Sequence, residues 1–329
     1  MGTRLRAASA GLVLLAALVP LVVHAQSAST WTAPRTADGQ PDLQGIWLSK
    51  SATPLERPKA LEGRALLTDE EVAQLQARAS RMFKDGSSDF AAGDAVFLAA
   101  LGGADRFKSP TSTHNSEDMI EREFDRHTSL IVDPPDGHIP PQTADALKRR
   151  ESAAIAARRE HPEDFDNALR CIAYGVPRLG GRYGAGDYGY YQIVQTPGYV
   201  LLFMETGHEA RIIPLNGRPH VPGSLRFWSG DSRGRWEGQT LVIDTTNFSP
   251  KSNFLGSSSG LKVVERLTRV APDAIRYEMT MSDPTTWTQP WTAEMPLRPS
   301  NERLYEWACH EGNFHIMSGM LKGARAQER

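Results

Sequence analysis

From Tyr190 onward the chain alternates short apolar-rich runs with tight turns, and that rhythm restricts its fold more than any other feature. Tyr190 to Val194 and Tyr199 to Glu205 flank Thr196-Pro-Gly198, and Ala210 to Leu215 ends at Asn216-Gly217. Arg235 to Glu237 and Thr240 to Thr246 flank Gly238, while Leu261 to Val270 and Ile275 to Ser282 meet at Ala271-Pro-Asp-Ala274. Trp291 to Leu297 and Arg303 to Cys309 complete the series. Short runs bounded by turn residues, with no helical pattern between them, specify sequential antiparallel pairing. The expected fold is mainly β with a smaller helical N-terminal part. Its sheet is an antiparallel meander closed into a barrel or strongly bent, a lipocalin-like architecture being one such form.

Upstream the texture differs. Residues 26–45 are polar and turn-rich and read as an extended arm that Trp31 and Trp47 anchor. Thr68-Asp69-Glu70-Glu71 is a capping box that opens a helix through about Met82. Residues 85–118 read as irregular apart from Ala95 to Leu101, Ser129 to Val132 as a short strand, and Thr143 as the cap of a helix over roughly 144–159. The first 25 residues read as a secretory signal: Arg4 and Arg6 precede the apolar run Ala10 to Val23, and Ala25 ends a cleavage site. That run is shorter than the ~20 apolar residues of a spanning helix. Three segments follow: the signal at 1–25, the arm and helical region at 26–189, and the β domain at 190–329. The last two are expected to form one structural unit in a periplasmic or secreted protein, with no membrane span once the signal is removed.

A net charge of −2 provides no basic face, which argues against nucleic acid as a partner. Two cysteines, Cys171 and Cys309, most simply pair in an oxidising compartment. The competing reading is a reactive thiol at Cys309 beside His310.

Candidate chemistry gathers in the β region. If Tyr199, Leu201, Phe203 and Glu205 face inward, Glu205 is a carboxyl in an apolar setting that suits proton transfer. If Val200, Leu202 and Met204 face inward instead, Glu205 is solvated. His208 and His220 lie in loops nearby, and His220 is the stronger acid–base candidate of the two. Arg211, Arg218 and Arg233 are candidates for orienting an anionic group. Between Trp228 and Trp236, Asp231 and Arg233 crowd a glycine-rich stretch; the two indoles either wall a ring-shaped ligand or plug a barrel end. His310 and Glu311 follow Cys309 and complete the candidate catalytic set with Glu205 and His220. The histidines show no tight metal-ligand spacing, so neither a metal nor an organic cofactor is expected. Gly184 to Gly189 matches the spacing of a dinucleotide fingerprint but lacks its strand and helix.

Seven phrases carry a resemblance: DGQPDLQGIW (38–47), IVDPPDGHIP (131–140), QIVQTPGYV (192–200), HEARIIPLNGRPH (208–220), GDSRGRWEGQTLVIDTTNF (230–248), DPTTWTQPWTAEMPL (283–297) and YEWACHEGN (305–313). The chain resembles a large, mostly uncharacterised family of exported bacterial β-rich proteins. The resemblance implies a single β-rich domain with the same two cysteine contexts, and no reaction. The Gly- and Tyr-rich stretch 179–190 departs from the pattern.

Three functions follow from these readings. The leading one is an exported enzyme, of lyase, dehydratase or hydrolase type, that uses acid–base chemistry on a small organic or carbohydrate substrate in a barrel cavity. The second is a non-catalytic ligand- or glycan-binding protein, and the third an envelope interaction module. Oligomeric state is left open. Thiol titration of the denatured mature protein tests the cysteine pairing: no free thiol is expected, and two per chain would exclude the bridge.

Overall fold

Side chains that alternate across ten strands give the chain one packed face and one mixed face. The computed structural model describes residues 31–82, 93–104, 122–156, 161–165, 167–176, 190–252 and 254–327. The signal segment, parts of the irregular stretch and the glycine fingerprint lie outside the described residues. Thr32–Arg329 forms one compact unit.

The strands are β1 (Gly45–Leu48), β2 (Ile131–Asp133), β3 (Tyr190–Thr196), β4 (Tyr199–Met204), β5 (Glu209–Pro214), β6 (Asp231–Glu237), β7 (Thr240–Thr246), β8 (Lys262–Ala271), β9 (Ala274–Ser282) and β10 (Trp291–Ser300). All pair antiparallel in the order β5-β4-β3-β1-β10-β9-β8-β7-β6, with β2 beside the first half of β10. The sheet is mostly closed and barrel-shaped, so the expected fold class holds. The N-terminal arm differs from its expectation: it supplies β1, which joins the two meanders by pairing with both β3 and β10. Trp47 explains the insertion, because its ring is 2 % exposed in the core and its Nε1 donates to the Leu43 carbonyl.

The helices are α1 (Asp69–Met82), α2 (Gly93–Leu101), α3 (Ala144–Ala156) and α4 (Asn313–Gln327). The capping box at α1 is formed, Glu71 N–H donating to Thr68 Oγ1 and Thr68 N–H to Glu71 Oε2. Thr143 likewise accepts from Ala146 N–H at the start of α3. α1 and α2 bury Leu75, Met82, Val96 and Phe97 in a second, smaller core with Ala52 and Phe124. Among the described residues no helix is long and apolar enough to cross a membrane.

The expected strand 303–309 does not form. Residues 301–312 are irregular there, and α4 follows. Their backbone is held by side chains instead of a ladder: Tyr305 N–H donates to Glu205 Oε1, and Trp307 N–H to His208 Nδ1. Cys171 and Cys309 are joined in a disulfide with Cα atoms 5.8 Å apart. Closing a loop of 138 residues is worth roughly 5 kcal/mol in the chain-entropy model.

Among the described residues, one seam of the barrel, between β5 and β6, is closed by no backbone ladder. Side chains close it. At one end Gly234 lets β5 come so near that a Cβ there would meet Leu215 and Ile213 side chains at 2.6 and 2.8 Å. At the other end Arg211 reaches inward across the seam to Glu265, with contacts of 2.9 Å from Nη1 and 2.5 Å from Nη2. Nη2 also donates to Ser232 and Thr245, both at 3.1 Å, and the Tyr277 hydroxyl donates to Glu265 Oε1. Burial works against the guanidinium charge, yet Glu265 more than offsets it and holds the Arg211 pKa above its ordinary value. Burial and then the Glu265 charge push the Tyr277 phenol well above its usual value, so it stays a donor.

Breaking a buried pair from one side costs about 3–5 kcal/mol because the remaining charge keeps its desolvation penalty. Arg211→Met is therefore expected to lower the urea-unfolding free energy by that amount, and the double variant with Glu265→Leu to recover part of it. A loss under ~1 kcal/mol in the single variant would show that the pair does not hold the seam.

Candidate functional site

The sequence candidates divide into groups that do not meet. On β4 it is Val200, Leu202 and Met204 that point inward, so Glu205 lies outside the apolar face. Its carboxylate serves as an acceptor for the Tyr305 backbone. His310 and Glu311 are exposed in the turn before α4. Arg211 is consumed by Glu265 inside the barrel, and Arg218 is exposed. Trp236 faces inward against the core as a plug, whereas Trp228 is half-buried in the loop before β6.

His220, Asp231 and Arg233 do converge, on the outside of the seam. His220 Nδ1 lies 2.9 Å from Asp231 Oδ2 and its Nε2 3.6 Å from Asp244 Oδ1. Asp231 also accepts from Val221 N–H at 3.1 Å and pairs with Arg233 at 3.0 Å. Asn247 Nδ2 donates to the Val221 carbonyl. Both imidazole nitrogens thus face carboxylates and Asp231 is fully engaged, an arrangement that pins the 216–230 loop to β6 and β7. A groove of about 180 Å³ lies beside it, lined by Arg211, Ile212, Phe227 and Asp231 among others.

The barrel interior is not the expected cavity. Trp47, Leu202, Tyr277, Met279 and Trp291 are each 2 % exposed or less and pack together in its core. The larger opening is on the outer face of β9 and β10, about 330 Å³, roofed by the segment that leads into β2. Of the quoted phrases, IVDPPDGHIP supplies Val132 to it and DPTTWTQPWTAEMPL supplies Glu294 and Pro296. Its apolar walls are Val132, Val270 and Pro296 over the buried Leu130 and Ile275, and its polar groups are Asp125, His127, Arg276, Glu294 and Arg298.

The roof is stapled in place. Ile131 is buried in the barrel core, and Leu130 N–H and Ile131 N–H donate to the carbonyls of Pro54 and Leu55. Glu294 N–H donates to the Leu130 carbonyl, and Arg57 binds Thr128 and the Pro135 and Asp136 carbonyls from below. Asp125 then turns back on itself, its Oδ1 accepting from His127 N–H at 2.6 Å and lying 3.2 Å from His127 Nδ1. A carboxylate only accepts, so Nδ1 carries the hydrogen there and Nε2 is the nitrogen left for chemistry. The hydrogen bond to Asp125 raises the His127 pKa, with Asp125 and Glu294 charges adding to it and burial opposing.

Glu294 is the unusual member. It alternates outward on β10 between Ala293 and Met295, and the register sets it directly opposite Glu278 on β9. Burial raises its pKa first, Arg276 pulls it back, and Glu278 raises it further. Among the described residues its side chain has no hydrogen bond or ion pair. The other charges around the opening are matched: Arg276 with Glu278 at 3.4 Å, Arg298 with Glu123 at 2.7 Å, and His127 with Asp125. Among the described residues no group of three or more His, Cys, Asp or Glu is placed to hold a metal ion.

No protein-family model matches the chain, and no curated protein matches it. Among solved structures, the crystal structure of a mutant of the fluorescent protein UnaG is similar over 41 % of this chain and 87 % of its own, at 12 % identity and a TM-score of 0.22. A similarity that low carries no weight for the site.

A carboxyl whose pKa is raised in the folded state holds its proton longer there than in the unfolded chain. Glu294 therefore favours folding in acid and opposes it as pH rises through its pKa. Glu294→Gln is expected to stabilise the protein near neutral pH by about 0.5 kcal/mol, the scale of a like-charge cross-strand pair, and to leave it unchanged in acid. Thermal unfolding at both pH values tests this, and a destabilised variant at neutral pH would show that Glu294 is a structural partner after all.

Proposed function

We propose that the protein is an exported, periplasmic or secreted, enzyme of acid–base type acting on a small organic molecule, with the β9–β10 outer pocket as its active site. One observation carries the reading: His127 and Glu294, from distant parts of the chain, converge on an apolar-walled opening of about 330 Å³. Perturbed titrating groups that share a pocket are the usual mark of a working site. The disulfide suits an oxidising compartment.

His127 is the proton carrier. Asp125 fixes its tautomer and orientation, leaving Nε2 to take a proton from a bound substrate and return it to a leaving group. Glu294 sets a second charge against the same space. Val132, Val270 and Pro296 hold the substrate body and exclude water from it. Lyase, dehydratase and hydrolase reactions can each run on such a proton carrier. The His220 cluster is the second choice, because a carboxylate stands near each of its ring nitrogens, Asp231 at 2.9 Å and Asp244 at 3.6 Å.

A second reading is favoured by the apolar walls and by how many of the charges are already paired: a ligand-binding protein that uses the same pocket without turnover.

The test is a panel of small esters, hydroxy acids, amino compounds and sugars incubated with the mature protein and followed by NMR. The enzyme reading expects one class to be converted, with His127→Gln lowering kcat by ~10²–10⁴-fold. The rate should fall as pH drops through the raised His127 pKa, since the base must be neutral. Ligands that bind in this pocket and return unaltered would establish the second reading. Turnover indifferent to His127→Gln would remove the active site from it.

A further inference from the structure

The charges of the outer pocket do not balance, and the imbalance has a sign. Asp125 is occupied by the His127 ring and backbone, Glu278 by Arg276, and Glu123 by Arg298. Glu294 remains, half-buried, directly opposite Glu278, and with no hydrogen bond or ion pair to its side chain among the described residues. A carboxylate so placed is costly, and either a proton or a bound cation relieves it. The two arginines are poor anchors for an anion, because each already has a carboxylate partner.

Resting on the reading of this pocket as the functional site, we infer that its substrate or ligand is an organic ammonium compound, with the cationic head paired to Glu294 and an apolar body against Val132, Val270 and Pro296. The size fits a head group on a compact hydrocarbon body, since pockets from ~300 Å³ upward hold small organic ligands. The same placement serves the chemistry. An ammonium group beside His127 disfavours the imidazolium, so binding frees the ring to act as a base. The charged groups around that ring and that head group are Asp125, Arg126, Arg276, Glu278, Glu294 and Arg298. Arg126 faces Asp69 at 3.6 Å, and of the six only Glu294 lacks a partner among the described residues.

Three probes of one shape separate the possibilities: cyclohexylmethylamine, cyclohexylmethanol and cyclohexanecarboxylate, each titrated into the mature protein by calorimetry. The amine is expected to bind at least ~10-fold more tightly than the alcohol, the carboxylate more weakly than either, and the preference to weaken as pH falls through the Glu294 pKa. Glu294→Gln should remove the preference while remaining folded by circular dichroism, and Glu294→Asp should keep part of it. Equal or better binding of the alcohol or carboxylate, a preference that survives Glu294→Gln, or no binding by any probe would each overturn the inference. Amine selectivity that depends on Glu294, together with no conversion of any compound in the NMR panel, would uphold it while favouring the ligand-binding reading over the enzyme reading.

Discussion

The Arg211–Glu265 pair is the interaction on which the barrel closes. Every other neighbouring pair of main strands is joined by a backbone ladder, but β5 and β6 are consecutive in the chain and fall at opposite ends of the strand order. Their edges would otherwise be open, with the unpaired backbone groups that make strand edges prone to stray association. Two devices prevent this. Gly234 allows close approach at one end, and at the other a bidentate guanidinium crosses the seam to a carboxylate on β8. Ser232, Thr245 and Tyr277 add hydrogen bonds to the pair, which is what makes charge tolerable at such depth, and among the described residues Arg211 Nε is the one nitrogen of the guanidinium left without a partner.

Closure in this way has a consequence for where function can sit. With the inner face filled by Trp47, Tyr277, Trp291 and the methionines of β9 and β10, the barrel is a solid core. Ligand space must then be built on the outside, by laying another segment over the sheet. The 122–133 segment does this: Ile131 anchors it in the core, its backbone is tied to residues 54–55 and to β10, and its turn at Asp125 projects His127 over the outer strands. A rigid sheet under a stapled roof positions side chains more firmly than a loop tip would.

Much of the fold was legible because its signals are local. Thr68 with Glu71, Thr143, and the turn glycines of the β region each act within a few residues, and the helices and strands begin where those residues place them. The cysteine pairing was legible from their number alone. β1 was not, since four residues after a polar arm show no period, and only Trp47 buried against distant strands reveals them as central. The start of β6 was hidden by Gly230 and Gly234, which read as turn residues but serve close packing. At Arg303 to Cys309 an apolar-polar alternation was present without a partner strand, so side chains and the disulfide took over. The outer pocket was least legible. Asp125 and His127 are a local turn, but the opposition of Glu294 to Glu278 exists only through the β9–β10 register.

The glutamates on β8 and β10 show by contrast what a position held for function looks like. Glu265 is fully buried and accepts from Arg211 and Tyr277, so its desolvation is offset and its role ends with the fold. Glu294 is only half-buried, where water would have solvated it at a more open position, yet it stands against a like charge and apolar walls with no donor to its side chain among the described residues. An alanine or glutamine there would serve the sheet better. Groups placed against the interest of stability are characteristic of positions held for another purpose. On the reading proposed above, that purpose is to meet what enters the space between Glu294 and His127.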